Sequence, residues 1–131
     1  MGRLVSGKGH KSGYETNPKH LLRVLPAGRR VKVSAGGETI AESSEALELF
    51  EGEYAPVFYL PRKDVMMGKL TPTASHTWCP YKGEASYWKI DAESGDIQDA
   101  VWSYEDPSVE MAEIKDHLPF YPDMVTIEAG W

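Results

Sequence analysis

The chain of 131 residues has a single cysteine, Cys79, so no internal disulfide framework is available and stability has to come from packing. It also lacks any apolar run approaching the roughly 18 residues that a membrane span needs, and Met1-Gly2-Arg3-Leu4 does not open a signal-peptide pattern. These absences lead us to expect a cytoplasmic protein without a membrane anchor. Phosphate-binding loops are missing too: neither Gly-x-Gly-x-x-Gly nor Gly-Lys-Ser/Thr occurs. At 14.6 kDa the chain suits one domain with a real core.

Positive charge is scarce beyond residue 32. Eight basic residues against Glu15 give the first 32 residues a net +7, while six basic against nineteen acidic leave the other 99 at −13. A basic arm over residues 1–28, with Gly, Lys, Ser and His in no periodic order, is expected to be flexible. Two uses are open to it: docking on a partner protein, or lying solvated against its own acidic body. That acidic body would repel phosphate, which argues against nucleic acid as a partner.

From residue 29 a single β domain is expected. Arg30-Val31-Lys32-Val33-Ser34 alternates at period two and meets Gly36-Gly37, a two-residue hairpin signal before Thr39-Ile40-Ala41. Ser43-Ser44 ahead of Glu45-Ala46-Leu47-Glu48-Leu49-Phe50 either caps a short helix or leads into a strand. Pro56 to Leu60 reads as a strand, and Asp64 to Met67 as one helical turn. Glu84 to Ile90 and Ile97 to Tyr104 are partner strands around Ser94-Gly95-Asp96. Val109 to Lys115 is a short amphipathic helix at most, and Pro119 to Ile127 supplies one last short strand. The expected architecture is mainly β: compact antiparallel bent sheets, or a partly open barrel, with one or two short helices. The edge strands of such a fold leave room for a homodimer.

Chemistry concentrates in residues 76 to 87, His-Thr-Trp-Cys-Pro-Tyr-Lys-Gly-Glu-Ala-Ser-Tyr. Cys79 would serve as a nucleophile only if Lys82, His76 or backbone amides lowered its pKa; otherwise it is a small buried hydrophobe. His76 and Cys79 make half a zinc site by spacing, and His10, His20 and His117 stand in unrelated contexts, so no metal is expected. Lys82, stiffened by Pro80, either presents its ammonium to a carboxylate or phosphate or pairs with Asp64, Glu84 or Asp99. Arg62 follows a strand end, where Asp64 would orient it for an anion; the other reading is a structural ion pair. Asp64 with Asp99 or Glu84 could form an acid/base pair, but no spacing selects one. Tyr87 and Trp88 alternate to opposite faces, whereas Trp102 and Tyr104 share one.

Four blocks also carry a resemblance: Pro56 to Val65, His76 to Tyr87, Ala100 to Tyr104 and Phe120 to Pro122. In this order they resemble the domain of unknown function 427 family, over roughly residues 29 to 128. The resemblance implies a small, mostly β domain of the β-tent type, two bent antiparallel sheets with a pocket between them. Other β-tent families hold zinc with paired cysteines, and one cysteine does not supply that site. The family is sometimes labelled nucleotidyltransferase-like; nothing in these residues supports that name.

The expected function is therefore a small-ligand-binding domain with an aromatic pocket and a basic rim. Its candidate ligand contacts are Tyr59, Arg62, Asp64, His76, Cys79, Lys82, Tyr87, Trp102 and Tyr104, with Arg62 and Lys82 favouring a small anionic or polar ligand. The alternatives are an enzyme using Cys79 or a carboxylate beside Lys82 on a nucleotide-like substrate, and an interaction module using the basic arm. No cofactor motif is recognised.

Overall fold

The structure, a computed structural model, describes residues 22–130. Ten strands follow in order: β1 (Leu22–Pro26), β2 (Val31–Ala35), β3 (Glu38–Ser43), β4 (Leu47–Glu51), β5 (Val57–Pro61), β6 (Leu70–Cys79), β7 (Gly83–Ala92), β8 (Gly95–Ser103), β9 (His117–Pro119) and β10 (Thr126–Ala129). They form three antiparallel sheets, ordered β1-β4-β5-β9, β10-β2-β3 and β6-β7-β8. The mainly β expectation holds, and no barrel closes. In place of short α-helices, the described residues contain three 3₁₀ turns, Arg62–Asp64, Met67–Lys69 and Val109–Ile114, the last kinked at Met111.

The β2–β3 hairpin forms where the two glycines stand. Gly36 and Gly37 both take positive φ, 57° and 83°, as a primed hairpin turn demands. Val31, Val33 and Ala35 bury on one face of β2, with Lys32 and Ser34 between them. Ser43 then decides the next element. Its hydroxyl accepts from the Glu45 amide and donates to Asp64 Oδ2 at 2.6 Å, so it turns the chain rather than capping a helix. Leu47–Glu51 runs as β4, because β1 and β5 satisfy its backbone on both sides.

Three expectations change. The single turn over Asp64 to Met67 becomes two 3₁₀ turns around Val65. That β-branched side chain is buried and extended, and its backbone bridges Ala41. The last strand splits in two: β9 pairs with β5 and β10 with β2, in different sheets. Pro119 and Pro122 lack the amide donors that one continuous strand would need. Finally, the arm expected over 1–28 includes Leu22–Pro26, which is an edge strand paired with β4. Residues 1–21, and with them the rest of the arm expected to dock on a partner, lie outside the described residues.

Two clusters make the core, and β7 lies between them. Ala85 and Tyr87 point into one, with Leu49, Tyr59, Cys79, Tyr81, Tyr104, Met111 and Ile114. Ile90 and Ala92 enter the other, built on Val31, Val33, Ile40, Leu60, Val101 and Phe120, with Trp88 packed against it. Strand alternation with both faces covered explains why β7 is rich in aromatic and aliphatic residues throughout.

Candidate functional site

The β6-β7-β8 sheet is irregular in two places, and both irregularities fall beside the centre of β7. Between the pairs Pro72↔Trp88 and His76↔Ser86, the β6 residues Thr73, Ala74 and Ser75 stand against Tyr87 alone. Between Trp88↔Val101 and Ile90↔Ile97, Gln98, Asp99 and Ala100 stand against Lys89 alone. Extra residues on both outer strands force the sheet to bend and re-aim side chains. Asp99 takes the left-handed conformation, φ 53°, which Asp tolerates better than most residues.

Hydroxyl groups hold that bend. Asp99 Oδ1 accepts from Thr73 Oγ1 at 2.7 Å and Asp99 Oδ2 from Ser75 Oγ at 2.8 Å. Beside them opens a hollow of about 390 Å³. Ser75, His76 and Thr77 of β6 line it together with Tyr87 of β7 and Asp99 of β8. Tyr121 and Met124, from the segment joining β9 to β10, complete the wall. Tyr121 is anchored there by its backbone, whose amide donates to Ala100 O at 2.9 Å.

The rings of the wall are linked. Tyr87 Oη lies 2.9 Å from Thr77 Oγ1. The Tyr121 hydroxyl has its pKa raised by burial first, then by a hydrogen bond with Tyr87, with the charges of Asp99 and Asp123 acting in the same direction. Behind Tyr121 lies Trp102, ring centroids 4.4 Å apart and planes tilted by 35°. Trp102 in turn packs against the cluster that holds Tyr59, whose phenol is pushed up chiefly by burial, with Cys79 and Glu51 adding to it. The wall of the hollow is thus continuous with the second core cluster.

Of the nine residues expected at the site, two line this hollow: His76 and Tyr87. Trp102 supports it from behind. Tyr59, Cys79 and Tyr104 are buried in the core cluster, and burial raises the Tyr104 phenol well above its ordinary range. Arg62 and Asp64 do not pair with each other. Arg62 binds Glu105 at 2.7 Å and stacks over Trp88, 5.5 Å from its centroid, while Asp64 accepts from Ser43. Lys82 finds none of the three partners considered for it; it binds Glu51 Oε1 at 2.7 Å and lies over the Tyr104 ring. The two cations expected at one rim are held by separate carboxylates, and neither lines the hollow.

The sequence reading did not select Ser75, Thr77, Asp99, Tyr121 or Met124 for the site. One signal was present: Thr73-Ala74-Ser75 after Pro72, and Asp99 inside an aromatic and aliphatic run, are small or strand-averse residues where bulges form. Among the described residues, no three His, Cys, Asp or Glu side chains stand close enough to hold a metal. No helix of the described residues is long and apolar enough to cross a membrane.

The family described as a domain of unknown function, DUF427, matches residues 23–130. No curated protein matches the chain.

Proposed function

The chain belongs to the DUF427 family, and we propose that it is a small-ligand-binding module whose site is the hollow at the bend of the β6-β7-β8 sheet. The observation that carries this reading is Asp99. A carboxylate on a left-handed, bulged backbone is held by two hydroxyls from β6, across β7 in the same sheet, and lines a hollow walled by Tyr87 and Tyr121. Strained backbone persists where surrounding contacts over-determine it, and it clusters at binding sites. A volume of about 390 Å³ falls within the range of small-molecule sites. The bent sheet around it supports a β-tent reading of the architecture. The lone thiol, buried at Cys79, suits a reducing cytoplasm.

This reading replaces a basic rim with an acidic and hydroxylic one, so the ligand is polar, with donor groups to offer. An enzyme acting through Cys79 would need a thiol open to substrate, and Cys79 is only 8% exposed, in a cluster with Tyr59, Tyr87 and Tyr104.

A thermal-shift screen of small polar metabolites against the intact protein tests the proposal. Binders should raise the Tm by an amount that grows with concentration, and Tyr121→Ala should abolish the shift while leaving a cooperative transition. If every compound that stabilises the protein stabilises Tyr121→Ala equally, the hollow is not the site.

A further inference from the structure

We propose that the ligand taken by this hollow is a small organic cation, an alkylammonium group set between the Asp99 carboxylate and the rings of Tyr87 and Tyr121. The inference deepens the binding reading above and rests on it.

Asp99 is the first ground. Its two hydrogen bonds come from neutral hydroxyls, and among the described residues no Lys, Arg or His forms an ion pair with it. An ionised carboxylate has about four lone-pair positions, so Thr73 and Ser75 fix its orientation and leave each oxygen able to accept again. A carboxylate so placed lines the hollow with no counter-ion among the described residues. The ligand has to supply one.

The rings are the second ground. The faces of aromatic side chains carry the negative end of their quadrupole and attract ammonium groups, most strongly where water is partly excluded. Tyr87 is nearly buried and Tyr121 half-buried, and Trp102 backs Tyr121. Met124 adds a polarizable apolar surface suited to methyl groups.

The third ground is the set of charges around the site. Among the described residues no Lys or Arg lines the hollow, and Arg62 and Lys82 are paired with Glu105 and Glu51. Asp123 acts on the Tyr121 hydroxyl with the same sign as Asp99. Among the described lining residues the one imidazole, His76, has Nδ1 3.7 Å from Glu84 Oε2, so it faces a carboxylate of its own. An anionic ligand would bring its charge against Asp99 with no Lys or Arg among the described lining residues to receive it.

The test titrates the intact protein, observed by ring and methyl NMR signals of Tyr87, Tyr121 and Met124, with three probes: choline, its uncharged isostere 3,3-dimethyl-1-butanol, and benzoate. Choline should shift these signals saturably and bind about tenfold or more tighter than the isostere, and benzoate should leave them in place. Asp99→Asn should weaken choline severalfold and narrow its margin over the isostere, the remaining margin being the share of the rings. Equal affinities for choline and the isostere on the native protein would overturn the cation inference while leaving the hollow a binding site. Benzoate binding in preference to choline would overturn it in favour of an anion site. No shift of the lining signals with any probe would overturn both this inference and the reading beneath it. The comparison of probes on the native protein decides the matter even if Asp99→Asn does not fold.

Discussion

Lys82 Nζ and Glu51 Oε1 lie 2.7 Å apart, their side chains 11% and 18% exposed, and this pair ties the turn between β6 and β7 to the end of β4 in a different sheet. The tip is clamped from a second side: Ser108 donates its amide to Lys82 O at 3.1 Å and its hydroxyl to Tyr81 O at 2.7 Å. An ammonium this sheltered has little water to fall back on. Lys82→Met should therefore destabilise the protein by about 2–3 kcal/mol, since it removes one partner of a largely buried ion pair. Urea unfolding measures the loss. The double variant Lys82→Met/Glu51→Gln should lose less than the sum of the single changes.

Burial holds the phenols of Tyr59, Tyr104 and Tyr121 above their ordinary range. The sign follows directly: a group whose folded pKa is raised contributes stability that is fully present below the unfolded pKa, about 10 for tyrosine. Above that pH the unfolded chain releases protons that the folded chain keeps. Stability should fall as pH rises, by about 1 kcal/mol per pH unit for each of the two most buried, Tyr59 and Tyr104. Ultraviolet titration should show these phenols ionising only together with unfolding, as one cooperative step.

Cys79 should react slowly. With Cys79 only 8% exposed in a cluster of rings, a disulfide reagent such as dithionitrobenzoate has to wait for local opening. Labelling of the native protein should be about a hundredfold or more slower than in strong urea. Equal rates would mark Cys79 as an accessible thiol and revive the nucleophile reading.

Gly36→Ala should cost about 1–2 kcal/mol. The backbone there has φ 57°, and an added Cβ would meet Ser94 Oγ at 2.7 Å, so that hydroxyl has to rotate away as well. Gly37→Ala meets no neighbouring atom and suffers only the conformational penalty. Comparing the two thermal transitions separates crowding from backbone strain.

Local patterns were legible in the chain, and long-range pairing was not. Gly36-Gly37 announced its hairpin, and alternation correctly sent Tyr87 and Trp88 to opposite clusters and placed Trp102 and Tyr104 together. Strand β6 escaped notice because Pro72 and the bulge at Thr73–Ser75 break the period of two on which a strand reading depends. β1 was hidden for a different reason: Arg23 and Pro26 give it the composition of the basic segment before it. The site shows the same division. Aromatic density drew attention to His76 and Tyr87, both of which line the hollow. Arg62 and Lys82 look like rim groups in the sequence because their carboxylates stand 43 and 31 residues away, beyond any local pattern. Asp99 and Tyr121 do not stand out in the sequence, because a bulge turns the one and the segment after β9 carries the other back onto β8.

The placement of β10 has a consequence for how the protein is made. Ile127 pairs with Val33 and Thr126 with Ser34, and the Gly130 amide closes on Arg30 O at 2.9 Å. A nascent chain can zip the β2–β3 hairpin early, but that hairpin keeps one raw edge until Thr126–Ala129 has emerged from the ribosome. Completion of this sheet should accordingly wait for that distant segment, slowed by the long loop that the pairing closes.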